Sequence, residues 1–149
     1  IVTKARVDAV NADADTVDGE HASAFADADH NHTYKYTKTI VFGGLAGISA
    51  GDKVMIPRIA EDSTLIEWYV ESKGFVAGDV QMDLNHYSGG FTDETLTKLE
   101  DIDLSSSDRN SSTGLSHSIE ADDKLELEAK TDGATLTQVS VTLVFEVTI

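Results

Sequence analysis

The chain has 149 residues, with 27 acidic against 11 basic side chains, a formal charge of −16, one proline and no cysteine. One domain is the natural count for that length. The charge opposes nucleic acid and anionic membrane surfaces, whose affinity comes from Lys and Arg displacing counterions. Disulfides, thiolate zinc sites and cysteine catalysis are excluded, and no run of about 18 apolar residues is present to cross a bilayer as a helix.

Composition changes near Tyr36. Upstream, Ala and Asp dominate: Asp8, Asp13, Asp15, Asp18, Asp27 and Asp29 stand among scattered Val7, Val10, Val17 and Phe25, with neither helical nor strand spacing sustained. Such a stretch buries too little apolar surface to offset the roughly 1–2 kcal/mol per residue of backbone ordering. It is disordered alone or ordered by a partner, as in a fibre shaft where several chains share one thin core. Residues 1–37 are therefore set apart as an extended shaft and trimerisation segment, and 38–149 as the folded domain. No basic stretch followed by an apolar one marks a signal peptide. Ile1 in place of methionine fits a processed protein or a fragment of a longer chain, and the shaft-like segment favours the fragment.

From Lys38 the pattern is that of strands. Thr39–Phe42 precedes the turn Gly43-Gly44, and Lys53–Ile59 follows Ala50-Gly51-Asp52. Pro57 lacks an N–H, which predicts an edge strand or a bulge there. Thr64–Val70 and Val80–Leu84 flank Gly74 and Gly78, Thr113–Ile119 is a weaker candidate, and Lys124–Lys130 alternates cleanly. Glu94–Leu104 predicts a short helix or part of a long loop from Gly89 to Ser112, and the serine cluster Ser105–Ser112 is a loop by composition. Val139, Val141, Leu143, Phe145, Val147 and Ile149 occupy every second position, so one face of a terminal strand is apolar and the strand is tied into a sheet. About seven or eight strands in roughly 110 residues predict an all-β, jelly-roll-like antiparallel sandwich.

Five histidines offer few chemical sites. In Asp29-His30-Asn31-His32-Thr33-Tyr34, an extended backbone points both imidazoles to one side. Two nitrogens make a poor metal site. Three such pairs around a threefold axis supply six, which suits a divalent first-row transition metal such as iron, nickel or zinc. The bland reading is a polar His-x-His in a solvated turn. An EF-hand reading of Asp13–Gly19 fails, because Val17 stands where a ligand belongs and the twelfth position is Ala24 rather than a bidentate Glu. Gly114-Leu115-Ser116-His117-Ser118 lacks the final glycine of a nucleophile elbow. No phosphate-cradling loop or His-Glu-x-x-His is present, so the expectation is a protein that is not an enzyme. Trp68 and Tyr69 adjoin on a predicted strand and face opposite sides. One is core, while the other is a sugar-stacking platform or ordinary surface, and Trp68 is the candidate carried forward. Tyr87 and Phe91, beside Gly89-Gly90, are placed for recognition because loops on a rigid sandwich often carry it.

The segment Ala14–Ala26, A-D-T-V-D-G-E-H-A-S-A-F-A, resembles the A-D-T-(L/V)-D-G-x-H-A-S-x-F stretch of phage tail-fibre and related virion proteins. Ala28–Tyr34 is similar to the G-H-x-H-x-Y stretch that follows it in such fibres. More diffusely, Asp123–Leu127, Gly133 and Val141–Phe145 are similar to the C-terminal pattern of their β-sandwich heads. The resemblance implies a homotrimer in which a shaft leads to three heads, and in which His30 and His32 of three chains hold one metal ion on the axis. It further implies an external virion appendage, joined to other virion proteins on its N-terminal side and binding a host cell-surface glycan or protein through loops such as Asn85–Phe91 and Ser105–Ser112. Two competing readings are a capsid fibre or decoration protein that stabilises the shell, and a carbohydrate-binding module of a secreted protein.

Overall fold

A computed structural model describes residues 16–17, 20–21, 32–43, 47–73, 81–89, 95–104, 107–131 and 138–149. The chain divides into two units, Ile1–His32 and Thr33–Ile149. In the first, β1 (Thr16–Val17) pairs antiparallel with β2 (Glu20–His21).

The second unit holds eight strands, and no helix occurs among the described residues. They are β3 (Thr33–Phe42), β4 (Lys53–Met55), β5 (Ser63–Lys73), β6 (Gln81–Ser88), β7 (Thr95–Asp103), β8 (Arg109–Ile119), β9 (Lys124–Ala129) and β10 (Gln138–Thr148). Sheet I has the order β3-β10-β5-β8 and sheet II the order β4-β9-β6-β7, with every pair antiparallel. Counted within the eight, the orders are 1-8-3-6 and 2-7-4-5, the interlocked Greek keys of a jelly roll.

Period-2 alternation builds the core. Val139, Val141, Leu143, Phe145 and Val147 of β10 are all buried, and sheet II answers with Met82, Leu84, Ile102, Leu125, Leu127 and Ala129. One apolar cluster joins both sheets. The terminal strand lies between β3 and β5 rather than at an edge, so both of its rows of backbone groups are paired.

Four elements differ from expectation. β3 begins at Thr33, so Thr33–Tyr36 belong to the sandwich, and the unit boundary falls before Thr33 rather than after residue 37. Residues 95–103, expected as helix or loop, form strand β7. It is an edge strand with only Ile102 fully buried, and a register shift at Leu99 breaks its alternation. Arg109–Ser112, expected as loop, open strand β8, another edge whose outward side chains meet solvent and carry no apolar signal. The strand before Pro57 is short, ending at Met55, and lies at the edge of sheet II.

A bulge in β5 fixes which side chains face out. Leu65 pairs with Phe145 while Glu67 pairs with Val144, leaving Ile66 as the extra residue. Across β8, Gly114, Leu115 and Ser116 stand opposite Ile66 alone, with Gly114 at φ 73°. Leu65 and Trp68, three apart, consequently both face the core, and Tyr69 faces out.

Candidate functional site

The jelly roll separates its connections into two ends. Thr33 pairs beside Thr148, Ser63 beside Ile119, and Tyr87 beside Lys124, so the chain enters the sandwich at the end that carries the β6–β7 and β8–β9 connections. The opposite end carries Phe42, Val139, Asp103, Arg109 and Gln81. It is tied by Ser72 N–H donating to the Asp108 carbonyl at 2.9 Å, Asn110 Nδ2 to the Asp103 carbonyl at 2.7 Å, and Gln81 N–H to Thr131 Oγ1 at 2.8 Å. The described parts of the two stretches, residues 85–89 and 107–112, therefore lie toward opposite ends.

Tyr87 lies on the outer face of sheet II, within a saturated polar cluster. Its hydroxyl donates to Glu126 Oε1 at 3.1 Å, and Asn85 Nδ2 donates to Glu126 Oε1 at 3.4 Å and Glu128 Oε2 at 3.3 Å. Lys53 Nζ lies 3.3 Å from Glu126 and 3.7 Å from Glu128, while Lys130 reaches Glu128 at 3.3 Å and Asp83 at 3.8 Å. Burial, then the bond to Glu126, pushes the Tyr87 hydroxyl above its ordinary value. The Glu126 hydrogen bond and the charges of Glu126 and Glu128 raise Lys53. The Lys130 hydrogen bond holds Glu128 below the usual carboxylate range. Each of these donors has an acceptor within the cluster, which ties β4, β6 and β9 together on that face. Phe91 lies outside the described residues.

Trp68, expected at a binding surface, is 3% exposed. Its indole N–H donates to Glu100 Oε2 at 3.3 Å, and the other oxygen of that carboxylate lies 2.6 Å from His117 Nε2. Glu100 of β7 thus clamps β5 and β8 across the sandwich, and the indole face is packed rather than presented. A second carboxylate–imidazole pair joins His86 Nε2 to Asp123 Oδ2 at 2.7 Å, both buried, and the same oxygen accepts the Glu120 N–H at 3.0 Å. His32 is exposed and directly precedes β3, while His30 lies outside the described residues. No group of three or more metal-ligating side chains occurs among the described residues. Two imidazoles from one chain do not close a metal shell, so such a pair would need donors from further chains.

The outward member of the aromatic pair is Tyr69, 39% exposed. It sits in a depression of about 430 Å³ lined by Tyr69, Val70, Glu71, Arg109, Asn110 and Ser111. Arg109 Nε and Glu71 Oε1 are 3.8 Å apart, and both side chains are mostly solvent-facing. Asn110 is held at both ends of its amide, by Nδ2 on the Asp103 carbonyl and by Oδ1 accepting the Ser111 N–H at 2.8 Å. Alternation along β5 implied one outward aromatic, but its identity depended on the bulge at Ile66, and the β8 partners were hidden in a serine-rich stretch read as loop. At the other end, Tyr34, Tyr36, Lys38, Ala60 and Glu61 line a smaller cleft of about 250 Å³. There the Tyr34 hydroxyl bonds to Glu61, which raises its proton affinity, and the Tyr36 ring stacks on Phe145 with centroids 5.1 Å apart.

No family model matches the chain, and no curated protein matches it. Among solved structures, it is similar to a chain of the cyanophage Pam1 capsid asymmetric unit at 12% identity and a TM-score of 0.49, covering 80% of this chain and 86% of that one. It is also similar to the crystal structure of FLHE at 13% identity and a TM-score of 0.42, covering 76% and 96%.

Proposed function

We propose that the chain is the head end of a non-enzymatic virion fibre, a homotrimer that attaches to a host-surface component. One observation carries this reading. The two fibre-like motifs run directly into the sandwich, since Thr33 and Tyr34 close the His-x-His stretch and open strand β3. In a fibre, a segment such as residues 1–32 gains its order from association with two other copies. Entry at one end of the jelly roll leaves the connections at the opposite end for contact. Three heads acting together allow each contact to be weak, and a strongly negative charge keeps neighbouring appendages apart.

Native mass spectrometry of the purified protein tests the assembly. The expected spectrum is a trimer carrying one first-row transition-metal ion, and a monomer would overturn the fibre. Binding of labelled protein to a panel of bacterial cells and to empty capsids tests the role. Binding to cells is expected, whereas binding to capsids alone would make it a decoration protein docked through residues 1–32.

A further inference from the structure

We propose that the outer face of sheet I carries a site for an uncharged saccharide, centred on Tyr69. This rests on the host-attachment reading and names the chemistry of what is attached. β5 is an interior strand, paired with β10 on one side and β8 on the other, so Tyr69 is held by a rigid platform rather than a loop. An exposed aromatic ring offers its apolar body to the C–H face of a pyranose, while its hydroxyl stays wet.

The surroundings supply the polar half of the site. Glu71 offers carboxylate acceptors and Arg109 a fork of donors, 3.8 Å apart. The Ser111 hydroxyl stands beside Tyr69 on β8, and Thr142 stands beside it on β10. Sugar hydroxyls donate and accept at once, which matches this mixture of donors and acceptors better than a site of one kind would. Charge selects further. The chain carries −16, so an anionic ligand meets repulsion from the molecule as a whole that an uncharged one does not. The depression lies toward the end opposite Thr33, away from where the chain enters.

Saturation-transfer NMR with maltose, lactose and cellobiose at millimolar concentration tests the site, with Tyr69→Ala and Arg109→Ala alongside the parent. Transfer to the C–H protons of at least one disaccharide is expected, weakened tenfold or more by either substitution while the thermal midpoint stays within a few degrees. No transfer from the parent protein, or transfer undiminished in a folded Tyr69→Ala, overturns the site. The same proteins applied to bacterial cells separate this from the attachment reading. Cell binding that survives Tyr69→Ala keeps attachment and overturns this site as its point of contact. Disaccharide binding without cell binding by the parent keeps the site and overturns attachment.

Discussion

Asp123 shows how one side chain serves two elements. It receives the His86 ring of β6 and caps the Glu120 N–H in the turn between β8 and β9, with both His86 and Asp123 buried. Asp123→Ala removes both bonds and leaves the imidazole in the core with no acceptor, a loss of about 1–3 kcal/mol. Urea unfolding should show it, and a midpoint within error of the parent would mean that water replaces the carboxylate. The outer cluster of sheet II predicts an acid limb. Lys130 holds Glu128 below its ordinary value, and Lys98 does the same for Asp101. A depressed carboxylate contributes stability above its unfolded value and loses it as pH falls through the folded one. The difference in thermal midpoint between the parent and Glu128→Gln should therefore be largest at neutral pH and close below about pH 4. A difference that stays constant with pH would remove the ionic role. The raised Lys53 and Lys98 act in the opposite sense, contributing stability that is present below the ordinary lysine value and lost as pH rises through the raised ones.

At the scale of the strand, the paired irregularity of β5 and β8 sets the orientation of both aromatics. Strict alternation from Leu65 would turn Tyr69 inward and Trp68 outward. The extra residue Ile66 reverses the phase, and Gly114 at φ 73° absorbs the matching excess on β8. A Cβ at Gly114 would meet nothing within 4 Å, so the cost of Gly114→Ala is conformational alone. It should be about 1–2 kcal/mol, the penalty of the left-handed region. A loss well beyond that would show the bulge itself collapsing, which a change in Trp68 fluorescence would report. The edge strands show where periodicity fails as a guide. β7 and β8 pair through their backbones while most of their side chains face solvent, so Thr95–Lys98 and Arg109–Ser112 carry composition typical of loops.

For the whole molecule, the proposed trimer gives the N-terminal histidines a role that can be tested. If three chains bring His30 and His32 to one axis, the His30→Ala/His32→Ala double variant should form a trimer without metal or lose trimerisation, read by native mass spectrometry. A trimer that still carries one metal ion would place the ligands elsewhere. Much of the sandwich was determined by the sequence alone. Alternation at Val139–Val147 and Leu125–Ala129 dictates strands with one buried face, because period 2 is the only backbone geometry that puts those side chains on one side. Pro57 likewise pointed to an edge or a bulge, and the strand that precedes it, ending at Met55, lies at the edge of sheet II. Three matters were left to the tertiary structure. Strand order sent residues 85–89 and 107–112 to opposite ends, pairing with β10 drew Thr33–Tyr36 into the sandwich, and the bulge at Ile66 buried Trp68 and exposed Tyr69. Each depends on which distant strand lies alongside, and a contact between residues far apart in the chain leaves no periodic trace in either segment.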